Sequence, residues 1–401
     1  MNESPALPVD GAAPAAPAAG LLGVSPSAVA SKEAFIDAMR GVAALLVAYF
    51  HCRQVAWIGM HRFHELSGFS LEPSVVIGYL TLPIAYGSAG VSIFFVVSGY
   101  CIHRNAAMQL AADASYRLDA GIFWARRFAR IYPVLIAALL LTLALDSISR
   151  GFPPVNHKIL DNGPRAFLVN LFSLQGVFGH TYGSDGALWT LAIEVQFYAV
   201  YPLLFVARRR FGMPIVLGCI AVLNVVSGWL LEPKFISFFS SYWFSWAIGA
   251  YLAEIRAQPG ALALGKRGVL VWRAAAVAGA VLGCAAFNVS QYIAFQLWAI
   301  GFACLLRTAL RPDDRRASSG IIMQSFARLG AFSYSLYAIH LPIFICLQAV
   351  FFRSALQASI WPSIAFMPVA VVAAYLFYQC VESPAIRWSA SIKRRAPRSA
   401  A

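Results

Sequence analysis

Arg40-Gly-Val-Ala-Ala-Leu-Leu-Val-Ala-Tyr-Phe-His51 lies inside the first long apolar stretch of the chain. Ionisable side chains are unfavourable in hydrocarbon, so an Arg and a His in such a segment point to function before structure. They stand eleven positions apart, with ten residues between. At about 100° per residue that is roughly three full turns, which brings both side chains onto one face of a helix. Along the axis they stand about 16 Å apart, roughly half of a bilayer core. One end of the pair reaches the cytosolic edge while the other lies deep in the membrane.

The rest of the sequence agrees with a membrane reading. Hydrophobic residues make up 60% of the chain and charged residues only 12%, whereas a soluble domain is about one quarter charged. Apolar runs of about 20 residues recur between short polar breaks. They predict an all-α polytopic membrane bundle of about ten transmembrane helices, near 37–56, 83–103, 131–149, 187–206, 213–231, 238–256, 269–287, 290–310, 329–351 and 361–381. The runs are continuously apolar instead of alternating, which argues against a β-barrel.

The net charge of +14 sorts onto one side of this topology. With both termini in the cytosol, 24 of the 31 Lys and Arg face inward and 7 outward. That bias is the positive-inside rule and leaves little reason to invoke nucleic acid. Residues 166–180 are apolar but short, and counting them as a span would put Arg208 to Arg210 outside. A re-entrant or interfacial helix on the outer side is expected there. Residues 1–31 are rich in Ala and Pro, lack a basic residue and read as a disordered cytosolic tail. The membrane domain is expected over 32–388, and a basic tail suited to anionic headgroups over 389–401. Seven cysteines lie in or near spans with no ligand spacing and read as small packing residues. The external-loop residues His61, His64, His157 and His180 show no metal spacing, so no metal site is expected.

Several segments could carry chemistry. Asp37, Arg40 and His51 form one stripe of the first helix, with Asp37 and Arg40 spaced for a local ion pair. Arg127 and Arg130 share a helix face at the cytosolic start of the third span. Two guanidinium forks suit a phosphate-rich ligand, although an ordinary interfacial basic cluster accounts for them equally well alone. Trp189 opens the fourth span, where Ser184 or Asp185 is placed to cap the helix. Glu194 and Tyr198 follow one turn apart on a face. A carboxylate at that depth must be paired, protonated or wet. Gly87 to Tyr100 is rich in small residues, favouring close helix packing; within it Ser98 lacks a nearby base in sequence. His340 lies mid-span two residues before Pro342, whose missing N–H frees a carbonyl for it.

Together these segments resemble the acyltransferase 3 family of integral membrane O-acyltransferases. The resemblance runs from about Ala34 to Trp388. It rests on Ile36-Asp-Ala-Met-Arg40 through His51, Gly90 to Gly99, Arg127-Phe-Ala-Arg130-Ile-Tyr-Pro133 and Trp189-Thr-Leu-Ala-Ile-Glu194-Val-Gln-Phe-Tyr198. Ser333-Tyr-Ser-Leu-Tyr337 with His340, and Val381-Glu382-Ser-Pro384, complete the order. Two departures stand out: Thr190 replaces the family's Ser, and Ser92 stands where many members carry an acidic residue.

The resemblance implies transfer of an acyl group, commonly acetyl from acetyl-CoA, to a hydroxyl of an extracytoplasmic glycan or lipid-linked saccharide, in a bacterial inner membrane. It implies that Arg127 and Arg130, with Arg40, hold the CoA phosphates. His51 serves as general base or transient acyl carrier, with Glu194 behind it. Trp189, Tyr198, Ser98 and His340 are expected near substrate. A proton-coupled transporter relaying through Arg40, His51 and Glu194 is the rival reading, although no internal repeat supports it.

Overall fold

The computed structural model describes residues 26–258, 260–261, 263–311 and 320–392. Its helices in chain order are α1 Pro26–Ala56, α2 Met60–Ser67, α3 Pro73–Leu80, α4 Ala89–Ala112 and α5 Ala120–Arg150. There follow α6 Pro164–Leu171, α7 Trp189–Phe211, α8 Met213–Leu231, α9 Trp243–Ala257 and α10 Lys266–Phe287. The last are α11 Gln291–Ala309, α12 Ile321–Ala331, α13 Ser333–Phe352, α14 Trp361–Phe377 and α15 Ser383–Ser391. Among the described residues no strand forms; a single bridge between Trp57 and Gln357 ties the outer end of α1 to the loop after α13.

Eight of these helical stretches are long and apolar enough to cross a membrane, and the bent pair Pro73–Tyr86 with Ala89–Ala112 makes a ninth. The protein is therefore a multi-pass integral membrane protein. The stretch expected as a sixth span, 238–256, forms a 3-10 turn over Phe239–Ser241 and then only the 15 residues of α9. At about 1.5 Å per residue α9 is about 22 Å long, shorter than a hydrocarbon core. The apolar stretch 166–180 contributes α6, eight residues over Pro164–Leu171, which cannot span. Helix α1 starts at Pro26, inside the stretch read as a tail; the rest of that tail and residues 393–401 lie outside the described residues.

Local chemistry sets the ends. The Asp119 side chain accepts the Ile122 N–H at 3.0 Å and caps α5, and Ser290 caps α11 through the Ile293 N–H. Gly212, at φ 80°, turns the chain out of α7 and into α8, a conformation that favours glycine. Helix α13 sits at the centre and is mostly buried, whereas α10 lies at the periphery with most of its surface exposed. Around α13 pack α1, α5 and α14, while α4 lies between α1, α9 and α11. Helices α4 and α9 touch backbone to backbone: a β-carbon on Gly99 would meet the Trp246 carbonyl, and one on Gly249 would meet that of Val96. The small-residue stripe in α4 is thus used for packing.

Candidate active site

Arg40 from α1, Ser98 from α4 and both Arg127 and Arg130 from α5 line one cavity, toward the end of the bundle that the charge bias assigns to the cytosol. Thr190, Glu194 and Tyr198 from α7, Tyr337 from α13 and Glu382 close it. The Arg40 Nη1 donates to Asp37 Oδ1 at 3.0 Å, as their spacing predicts. Arg127 lies over the Phe123 ring, 5.7 Å from its centre. Among the described residues neither Arg127 nor Arg130 enters an ion pair. Their neighbour Arg126 turns away and donates to the Ile392 carbonyl at 2.8 Å. The basic cluster is therefore divided: two guanidiniums face the cavity and one ties α5 to the chain after α15.

Glu194 lines the same cavity. Its Oε1 accepts the Ser98 hydroxyl at 3.0 Å and the Tyr198 hydroxyl. The Trp246 indole N–H donates to Ser98 Oγ at 3.3 Å, which orients that hydroxyl toward the carboxylate. Glu382, buried in the π turn Tyr378–Glu382, accepts the Ser335 N–H at 3.1 Å and its hydroxyl at 2.6 Å. It thereby caps the first turn of α13 from a distant part of the chain.

His51 and His340 do not line this cavity. They meet beyond it, with His51 Nδ1 and His340 Nε2 2.8 Å apart and the rings within 12° of parallel. His340 is fully buried, and its Nδ1 faces the carbonyls of Leu336 and Tyr337 at 3.0 and 2.9 Å. The carbonyl freed by Pro342 is that of Ala338, so the proline does not supply the partner expected for His340. Tyr337 joins the two regions. It shares a hydroxyl hydrogen bond with Thr190, packs edge-on to Phe94 and holds its ring 5.8 Å from that of His340.

This geometry corrects the placement of Glu194. Glu194 lies one turn further along α7 than Thr190, whose hydroxyl meets that of Tyr337, whereas His340 lies almost one turn beyond Tyr337 along α13. The partner of His51 is His340, and Glu194 belongs with Ser98 and Tyr198 in the inner cavity. Of the residues expected near substrate, Ser98 and Tyr198 line that cavity, whereas Trp189 packs against Tyr242 and Phe295, and His340 is enclosed. Neither Ser184 nor Asp185 caps α7: a 3-10 turn over Gly186–Leu188 intervenes without a side-chain cap.

A family model described as "Acyltransferase domain" matches residues 33–379. The chain belongs to the acyltransferase 3 family. Acyltransferase MdmB of Streptomyces mycarofaciens is 26% identical over 330 residues, covering 75% of this chain and 81% of MdmB. O-acetyltransferase OatA of Staphylococcus aureus is 24% identical over 341 residues, 74% of this chain and 52% of that protein. Peptidoglycan O-acetyltransferase OatA of Listeria monocytogenes is 32% identical over 124 residues, 29% of this chain and 19% of that protein. The chain thus spans about half, or less, of either OatA. No solved structure matches. Membership of the acyltransferase 3 family decides against the transporter reading.

Two features of this acyltransferase escaped the sequence. One is the His51–His340 contact, across 289 residues. The other is a buried ionic cluster in which Glu254 Oε1 lies 2.7 Å from His103 Nε2 and both carboxylate oxygens accept from Arg208, while His103 Nδ1 meets the Tyr201 hydroxyl at 3.1 Å. A carboxylate within a short apolar helix, with three arginines ending α7, was the available signal for the second. The cluster binds α4, α7 and α9 together behind Arg127.

Proposed function

We propose that the protein transfers an acetyl group from cytosolic acetyl-CoA to a hydroxyl of an extracytoplasmic glycan, such as an exopolysaccharide, an O-antigen or a lipid-linked saccharide. The observation that carries this reading is the cavity itself. It gathers Arg40, Arg127 and Arg130 on the inner side and ends outward at Tyr337, whose ring touches His340. Three guanidiniums against the carboxylates of Glu194 and Glu382, with Asp37 engaged by Arg40, favour an anionic ligand. The CoA phosphates bind Arg127 and Arg130, with Arg40 completing the site. The pantetheine arm extends outward past Ser98, Tyr198 and Glu194, which offer it hydrogen bonds. Tyr337 must give way for the thioester to reach His51.

At His51 the acceptor hydroxyl oxygen attacks the thioester carbonyl and His51 takes its proton as general base. The C–S bond breaks, and the CoA thiolate leaves with that proton. His51 lies on α1 five residues before its end at Ala56 and is partly exposed, which supports arrival of the acceptor from outside.

The test uses purified protein, labelled acetyl-CoA and a membrane glycan extract, with free thiol and labelled glycan measured together. Acceptor-dependent thiol release with label in the glycan is expected, and Arg127→Ala and Arg130→Ala should each raise the acetyl-CoA KM by about tenfold or more. No acceptor-dependent thiol release would overturn the reading, and an unchanged KM in both variants would remove the arginines from the donor site.

A further inference from the structure

The contact between the two histidines fixes where their protons sit. A carbonyl oxygen only accepts, so the Nδ1 of His340, facing the Leu336 and Tyr337 carbonyls, carries a hydrogen. In the neutral ring its Nε2 is then an acceptor. That Nε2 lies 2.8 Å from His51 Nδ1, so His51 Nδ1 must donate to it. The remaining nitrogen of His51, Nε2, is left bare with its lone pair available. We infer that His340 is a positioning residue for the reaction: through a backbone carbonyl–His340–His51 relay it fixes both the tautomer and the aim of His51, so that Nε2 is the base. This rests on the reading of His51 as the reacting group.

The relay takes the place that sequence reasoning reserved for Glu194, and its consequence differs. A carboxylate behind a catalytic His stabilises the imidazolium by charge. A neutral His340 supplies orientation without that charge, and among the described residues no carboxylate pairs with either ring. When Nε2 takes the acceptor's proton, both Nδ1 hydrogens stay in place. The imidazolium, lacking a counter-charge, then readily returns the new proton to the departing thiolate.

The relay is anchored on helix backbone. His340 is fully buried, its Nδ1 is held by two carbonyls of its own helix, and the Phe344 ring lies 5.9 Å from its own between centres. Its helix is capped at the inner end by Glu382 through Ser335.

The experiment compares His340→Gln, His340→Phe and His51→Ala in the acetyl-CoA assay on the full chain. A glutamine amide oxygen can take the position of Nε2 and accept from His51, whereas phenylalanine cannot. His340→Gln should keep kcat within about tenfold, while His340→Phe lowers it about a hundredfold or more with the acetyl-CoA KM changed less than about twofold. The double variant His51→Ala, His340→Phe should be no slower than His51→Ala alone. A wild-type kcat in His340→Phe, or equal losses in the Gln and Phe variants, overturns the relay. A wild-type rate in His51→Ala overturns the reading of His51 instead. Ring 15N shifts of the unmodified protein decide the matter even if His340→Phe fails to fold. His51 should show a protonated Nδ1 and a bare Nε2, and the opposite tautomer contradicts the inference.

Discussion

Arg126, Arg127 and Arg130 look alike in sequence and have different surroundings. Arg127 and Arg130 line the cavity, whereas Arg126 is engaged by the Ile392 carbonyl. Arg126→Ala should therefore leave the acetyl-CoA KM within about twofold of wild type; a rise as large as in Arg127→Ala would show that charge alone, and not placement, governs donor binding. Asp185 is a second instructive residue. It is fully buried just before α7, and burial, then the nearby Asp146, hold its carboxyl well above the usual aspartate range. The folded state thus keeps this proton to higher pH than the unfolded chain does. Stability must fall as pH rises from the ordinary aspartate range through the raised value. Asp185→Asn removes that loss, so its thermal midpoint should gain on wild type as pH rises; a pH-independent difference would contradict this. At this scale the Asp37–Arg40 pair was legible because spacing on one helix determines it. The His51–His340 pair was not, because a single sequence carries no record of which distant helices meet.

Helix existence was the most legible element-level feature, since long apolar runs and flanking charge report directly on the membrane environment. Helix offset was not. The sequence puts Ser184 or Asp185 at the cap of α7 and Glu194 behind His51, but the α-helical turns begin only at Trp189, after a 3-10 turn, and His51 pairs with His340. Depth along α7 also does not transfer to α1 without the contacts that set their relative heights. The short α9 has a similar cause: the Ser240–Ser241 segment forms a 3-10 turn, so an apolar run long enough to span is not one continuous helix. What holds α9 in place is backbone contact with α4 at Gly99 and Gly249. Gly249→Leu should destabilise the protein by about 1–3 kcal/mol or more by overpacking, and should lower activity as well because Trp246, which orients Ser98, lies one turn away. A wild-type thermal midpoint and rate in this variant would show that the helices separate freely there.

At the scale of the whole molecule, the bundle separates an inner, arginine-lined cavity from an outer histidine pair, with Tyr337 between them. The positive-inside charge bias gives this asymmetry a direction, and the acyltransferase 3 family gives it a chemistry. The central claim is that donor and acceptor approach from opposite sides. Reconstitution in sealed vesicles tests it most directly. Labelled acetyl-CoA is supplied only on the side that carries Arg127 and Arg130, and glycan acceptor only on the other. The account predicts free thiol on the donor side and label on the acceptor across the membrane, both abolished in His51→Ala. Transfer that occurs only when acetyl-CoA and acceptor share one side would contradict it.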